Sequence, residues 1–311
     1  MPYPIQEKLV IAVASSALFD LRDSDAVFRE KGTEAYRAHQ RAHENEVLRP
    51  GVAFPFIKRL LGLNGPDEAD QPVEVILLSR NDPDTGLRVF NSIRAHGLNI
   101  TRGAFLSGQA PYRYIHAFNA SLFLSADPRD VEEAILHGYP AGRVLDSDYI
   151  DDQSDRELRM AFDFDCVLVD DEAERVYRVR GLDGFHAAEQ QLAARAHTPG
   201  PLKGLLHEIA KLQRRERERA ERHPDYRPVL RTAIVTSRNA PADERLVTTL
   251  RAWGIRVDET FFLGGMDKRR ILEVFRPHIF FDDQMTHAGP AAGSVPSVHV
   301  PFGVMNTPTA I

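Results

Sequence analysis

One octapeptide occurs almost twice in this chain, and that repetition constrains the fold more than any other feature. Ile76–Pro83 (ILLSRNDP) reads like Ile234–Pro241 (IVTSRNAP), with Ser79, Arg80, Asn81 and Pro83 meeting Ser237, Arg238, Asn239 and Pro241 at an offset of 158 residues. Beyond a one-residue deletion the offset becomes 157, and Arg94, Ala95 and Gly97 meet Arg251, Ala252 and Gly254. Phe105 and Leu106 then meet Phe262 and Leu263, and Phe118 and Phe123 meet Phe275 and Phe280. Self-similarity over such a length, with matching order of apolar and amphipathic stretches, points to two copies of one unit. The 311 residues suffice for two cores of ordinary size. The copies are expected at about 1–150 and 151–311, with the polar stretch Asp146–Asp155 as linker.

Short apolar runs alternate with longer amphipathic stretches, so each copy is expected to be α/β with a mainly parallel sheet. The clearest strands are Leu9–Ala14, Val73–Leu78, Leu122–Leu124, Met160–Val169, Thr232–Val235 and His278–Phe281. Helical patterns cover Asp25–His43, Phe54–Leu63, Asp84–His96, Leu202–Arg222, Ala242–Trp253 and Lys268–Phe275. The run Arg214–Arg222, alternating in sign, reads as a solvated helix face.

Four features of the second copy carry chemistry. Asp163-Phe164-Asp165 follows an apolar strand, and carboxylates at i and i+2 on an extended chain point the same way. One could attack phosphorus while the other moves a proton. Thr236-Ser237-Arg238 closes the next strand, offering a hydroxyl and N–H groups to an anion. Lys268 opens a helix, and Asp282-Asp283 ends the strand HIFF with hard oxygen ligands of the kind Mg²⁺ prefers. A lysine and a divalent cation meet a definite need: a carboxylate and a phosphate about 4 Å apart repel by about 4 kcal/mol at an effective dielectric near 20. Singly, these features also suit a solvated turn, a helix cap, a surface lysine and an acidic strand end. Their order is what carries the argument.

That order resembles the four motifs of the haloacid-dehalogenase superfamily of phosphatases. The strings RPHIFFDDQMTH, AFDFDCVLVDDEAERVY, LLSRNDPDTGLRVFNSI and IAVASSALFDL narrow the resemblance to the cytosolic 5′-nucleotidase I family, over about Leu9 to Val304. The resemblance implies two tandem haloacid-dehalogenase-like (Rossmann-like) units, the second with a small helical cap at about 171–226. It also implies Asp163 as nucleophile, Asp165 as acid/base, Thr236 as phosphate-binding hydroxyl and Lys268 as charge-balancing lysine. Mg²⁺ would be held by Asp163, Asp165, Asp282 and Asp283. Phe164, standing where the family has a small residue, is taken with Ser237, Arg238 and Asn239 as substrate-binding. The implied substrate is a nucleoside 5′-monophosphate, adenosine monophosphate foremost, with a nucleoside diphosphate as activator and a homo-oligomeric assembly. The rival readings are a phosphatase or phosphotransferase on another small ester, and a nucleotide sensor without turnover.

The first copy is expected to do no chemistry. An offset of 150, pairing Leu18 with Leu168 and Asp20 with Asp170, puts Val13 and Ser15 opposite Asp163 and Asp165. At the later offset of 157, Pro111 stands opposite Lys268, and Ser125-Ala126 opposite Asp282-Asp283. Ser79, Arg80 and Asn81 remain as a candidate regulatory or second nucleotide site, as plain structural residues, or as a loop that reaches across to help bind substrate at the active centre.

A net charge of −6 argues against nucleic-acid binding. The lone Cys166 excludes an intrachain disulfide and a multi-cysteine metal site. The N-terminal apolar run is too short for a signal peptide or a membrane span, so a cytoplasmic chain without membrane partners is expected. No G-x-G-x-x-G, Walker or H-E-x-x-H pattern occurs, which sets aside dinucleotide, P-loop and zincin chemistry.

Overall fold

The structure is a computed structural model that describes residues 3–67 and 70–306, so the outermost residues of both expected copies lie outside the described ones. The chain divides into two compact units, Met1–Val144 and Leu145–Ile311.

The first unit runs β1 (Leu9–Val13), α1 (Ser15–Leu18), α2 (Arg22–Ala42), α3 (Phe54–Leu61), β2 (Val73–Ser79), α4 (Pro83–Ala95), β3 (Arg102–Phe105), α5 (Tyr112–Ile115), β4 (Leu122–Ser125), α6 (Pro128–Leu136) and β5 (Ala141–Val144). Its parallel strands lie in the order β3-β2-β1-β4-β5. The second unit runs β6 (Leu158–Phe162), α7 (Glu172–Gln191), α8 (Lys203–Arg222), β7 (Leu230–Thr236), α9 (Asp243–Trp253), β8 (Glu259–Phe262), α10 (Arg269–Phe275), β9 (Ile279–Asp282), α11 (Met285–Ala292) and β10 (Ser297–His299). Its parallel strands lie in the order β8-β7-β6-β9-β10. Both units therefore share one topology, strand for strand. The central strands β1 (LVIAV) and β6 (LRMAF, apolar but for Arg159) are buried throughout, as strands of a parallel sheet covered on both faces are.

The two units agree in detail too. Long helices α2 and α7 each break at a glycine with positive φ, Gly32 (φ 76°) and Gly181 (φ 66°), a conformation that side chains with a Cβ resist. Strand registers refine the offsets. Ala14 N–H donates to Leu124 O as Asp163 N–H donates to Phe281 O, and Leu9 N–H to Pro72 O as Leu158 N–H to Val229 O, so β1 maps onto β6 at 149 and β2 and β4 onto β7 and β9 at 157. This corrects the sequence alignment by one place: Ala14, not Val13, stands opposite Asp163, and Ser79, not Leu78, opposite Thr236. Further on, Ala53 N–H donates to Ala17 O as Leu202 N–H donates to Val167 O, which restores the offset of 150 at Ala17. The second unit thus carries one extra residue between Asp163 and Val167.

Three further expectations need correction. The apolar run Met160–Val169 is strand only to Phe162; Cys166–Val169 are buried in a turn, so burial and not strand pairing explains their apolar character. The segment Asp146–Asp155 is tied into the second unit: Leu145 N–H donates to Ser297 O, Ser147 Oγ to Ala292 O, and Asp155 pairs with Arg159. Of the region expected as a cap, α8 packs on β7 instead, with Glu216 accepting from the N–H groups of Val229 and Leu230 at 3.0 Å each. Among the described residues no helix is long and apolar enough to cross a membrane.

Candidate active site

The carboxyl ends of the second unit's central strands gather the acidic residues, as open α/β sheets do with ligand-binding groups. Asp163 is the first residue beyond β6, its N–H donating to Phe281 O at 2.7 Å. Asp282 ends β9 and Asp283 follows it. Lys268, at the start of α10, is 2% exposed and bridges two of these acids, its Nζ lying 2.8 Å from Asp163 Oδ2 and 2.7 Å from Asp282 Oδ2. Asp282 Oδ1 accepts from Gln284 N–H at 2.8 Å, while Asp163 Oδ1 accepts from Phe164 N–H at 2.7 Å.

Asp283 is different. It is 1% exposed, and neither carboxylate oxygen has a hydrogen-bond partner. A buried charge without a partner costs several kcal/mol, so burial, with Asp163 and Asp282 beside it, pushes its pKa far above the carboxylate range. Burial also raises Asp163 against the pull of Lys268, with Asp282 and Asp165 adding to the rise. Asp282 is held low: burial would raise it, but Lys268 and His287 outweigh that. Lys268 stays firmly protonated, Asp163 and Asp282 overcoming its burial. A divalent cation fits this arrangement, because it would supply the charge that the orphaned Asp283 oxygens lack. Ligand atoms of Asp163, Asp282 and His287 lie within 4.8 Å of one another. His287 was not singled out in the sequence; its place on α11, directly after the acidic strand end, was the available signal.

Asp165 lies between solvent and a buried ion network. Arg238 grips it with two parallel hydrogen bonds, Nε to Oδ2 at 2.8 Å and Nη2 to Oδ1 at 2.7 Å. The same guanidinium donates to Glu189 and, at 3.2 Å, to Ala242 O, and its Nη2 is 3.1 Å from His197 Nε2. Glu189 also takes Arg245 Nη1 at 2.8 Å. Arg238 is 3% exposed, and its donors are spent on protein groups. Phe164 is fully buried, edge-on to His197 (centroids 5.6 Å apart) and beneath Arg238. The other strand-end residues stand as follows. Thr236 ends β7, its buried Oγ1 accepting from Arg238 N–H at 3.2 Å. Ser237 and Asn239 are exposed on the loop beyond it, with His186 Nε2 at 3.1 Å from Asn239 Oδ1. Burial and the neighbouring Asp283 raise the Cys166 thiol, so it is no thiolate nucleophile.

In the first unit, Ser79 Oγ lies 3.0 Å from Ser15 Oγ and accepts from Asn81 N–H at 3.2 Å. Arg80 pairs with Asp130 and donates to Gly108 O at 2.9 Å, and Tyr36 donates to Asn81 Oδ1 at 3.3 Å. The α4 cap is Asp82, not this serine, accepting from Thr85 N–H at 2.8 Å.

Fold and site together define an open parallel α/β protein with a buried carboxylate–lysine centre at the carboxyl ends of its second unit's strands. The chain belongs to the 5′-nucleotidase family, whose model matches residues 1–307. It is 37% identical over 295 residues to human cytosolic 5′-nucleotidase 1B, covering 92% of this chain and 48% of that protein. The chain thus spans about half the length of the curated relative it matches. No solved structure matches it.

Proposed function

We propose that this protein hydrolyses nucleoside 5′-monophosphates, adenosine monophosphate foremost, to nucleoside and phosphate, with Mg²⁺ and an aspartyl-phosphate on Asp163. Membership of the 5′-nucleotidase family and the name of the human relative support the activity. The buried Asp163–Lys268–Asp282 cluster with an unpartnered Asp283 beside it is the observation that carries the mechanism. Family resemblance makes both units haloacid-dehalogenase-like, the second catalytic and the first not, with α7 left as the helix available to cover the centre.

Asp163 is the attacking carboxylate in this reading, its Oδ2 held by Lys268 and its Oδ1 by the Phe164 N–H. The lysine cancels part of the repulsion between that carboxylate and the substrate's phosphate. Asp163, Asp282 and Asp283 would hold the cation, with the Asp165 main-chain carbonyl; the cation would supply Lewis-acid charge stabilisation to the phosphoryl oxygens. Asp165, partly open to solvent, protonates the leaving ribose oxygen as the P–O bond breaks, then takes a proton from the water that hydrolyses Asp163-phosphate. Thr236 and Ser237 present hydroxyl and N–H groups to the phosphate. A chain with Ala14 for the nucleophile, Pro111 for the lysine and Ser125-Ala126 for the acidic pair cannot follow this route, so the first unit serves another purpose. A regulatory nucleotide site at Ser79, Arg80 and Asn81 and a homo-oligomeric assembly belong to the same proposal. Phosphate release from a panel of nucleoside monophosphates and sugar phosphates, with Mg²⁺ or chelator, tests the function. Preference for nucleotides that vanishes on chelation is expected; equal turnover of sugar phosphates would reject it.

A further inference from the structure

The duplication supplies an internal control for the second unit's buried ion network, because the first unit keeps the fold without the nucleophile. Groups kept in both units serve the scaffold. Groups lost together with the nucleophile serve the chemistry.

Arg245 belongs to the first kind. Its Nε donates to Arg195 O at 3.0 Å and its Nη1 to Glu189 Oε1 at 2.8 Å. Arg88, its counterpart at offset 157, donates from Nε to Glu46 O at 3.1 Å and from Nη1 to Gln40 Oε1 at 3.2 Å. The neighbouring Thr249 hydroxyl accepts from His197 N–H at 3.0 Å, and Ser92, its counterpart, accepts from Leu48 N–H at 3.0 Å. An arginine tying helix to loop is thus common to both units.

Around that shared frame, four positions differ at once. Glu189 is replaced by Gln40 and His197 by Leu48 at offset 149, and Arg238 by Asn81 at offset 157. Where Asp165 stands, the shorter loop has only the serines Ser15 and Ser16. Gln40, 3% exposed, fills the same buried place as Glu189 at 2%, so the frame itself needs no charge there. A buried arginine–carboxylate chain costs desolvation that an amide avoids. The second unit retains it only where a carboxylate has to be aimed.

We infer that Arg238 is a positioning residue for Asp165, held in turn by Glu189 and His197, and that it makes no contact with substrate. This rests on the proposed role of Asp165 as acid/base. The bidentate grip fixes the carboxylate plane, and Glu189 fixes the guanidinium from behind. Phe164 and Phe185 close the sides, 5.1 and 5.4 Å from the guanidinium carbon. A general acid must reach the leaving oxygen within a few tenths of an ångström, and a misplacement of about 1 Å costs about 10²-fold in rate.

The test is a double-variant cycle on the full chain with adenosine monophosphate and Mg²⁺. Arg238→Ala is expected to lower kcat by about 10²-fold with KM within twofold, and added guanidinium to restore part of it. Because Arg238 acts through Asp165, the Arg238→Ala/Asp165→Asn protein should be no slower than Asp165→Asn alone. Glu189→Gln, which installs the residue type of Gln40, keeps the question answerable if Arg238→Ala does not fold; its kcat should fall by about tenfold at unchanged KM. Three results would overturn the inference: a loss confined to KM, a double variant that falls by the product of the two losses, or a folded Glu189→Gln protein with full kcat. If Asp165→Asn itself keeps full activity, the acid/base reading fails and this inference with it. Loss of activity in Asp165→Asn beside a pure KM effect in Arg238→Ala overturns this inference alone.

Discussion

Replacing Lys268 by methionine removes the only cation among the described residues that touches both Asp163 and Asp282, while roughly keeping side-chain length. Oxygens of those two acids lie within 4.8 Å of each other, and at an effective dielectric near 20 two charges at that distance repel by about 3.5 kcal/mol. Removing one partner of a buried ion pair costs about 3–5 kcal/mol by general experience, in line with that figure. Lys268→Met should therefore destabilise the metal-free protein by about 3–5 kcal/mol at pH 8, read by urea unfolding in chelator. The loss should shrink on acidification: the pKa of Asp163 is already raised, so without the lysine it takes up a proton as pH falls and the repulsion disappears. Mg²⁺ should also recover part of it, by binding the same oxygens in the folded state only. Turnover should fall by about 10²–10³-fold, the rate equivalent of the lost charge balance. Stability within about 0.5 kcal/mol of wild type, with kcat hardly changed, would refute the reasoning.

Three other outcomes follow from the geometry. Asp283→Asn should sharply raise the Mg²⁺ concentration for half-maximal activity without destabilising the metal-free protein, since its oxygens have no partner to lose; an unchanged Mg²⁺ titration would place the cation elsewhere. Glu189, despite burial, is drawn down to about 2 by His197 and Arg238. Its ionised form therefore stabilises the fold above the unfolded value near 4.5 and that contribution is lost as pH falls through about 2. At about 1.36 kcal/mol per unit this amounts to about 3 kcal/mol. Glu189→Gln should be destabilised by about that much at pH 7, with the gap to wild type closing between pH 4.5 and 2; a gap independent of pH would contradict the assignment. Arg80→Ala, losing an ion pair with the buried Asp130, should cost about 1–3 kcal/mol of stability and leave activity without effectors intact; a raised KM would show that this loop reaches the substrate.

Much of the fold was legible because duplication and apolar strands are written plainly in the chain. The parallel α/β class, the central strands and the acidic strand ends at Asp163 and Asp282 all follow from runs such as RMAFDFD and HIFFDD. Other elements were not legible for physical reasons. β5 (AGRV) and β10 (SVH) are three or four residues long, lack an apolar run, and gain their place by pairing with β4 and β9. α11 contains Gly289 and Pro290, which speak against a helix until burial of its alanines is known. The exact copy-to-copy register was hidden because SRN matches SRN one place away from the structural equivalence. Lys268, Asp282 and Asp283 meet as their order suggested, but the partner of Asp165 could not be read. Glu189 and His197 lie in a helix and a loop with no motif, and only the folded chain brings them to Arg238.

The central claim is that Asp163 carries the phosphoryl group, and the most direct test is to find it there. The protein is mixed with phosphate-labelled adenosine monophosphate and Mg²⁺, quenched in acid within a turnover, digested and mapped by mass spectrometry. The account predicts an acid-stable, base-labile label on the peptide containing Asp163, absent from a folded and inactive Asp163→Asn protein. Hydrolysis that proceeds in Asp163→Asn, or a label found on another residue, would contradict it.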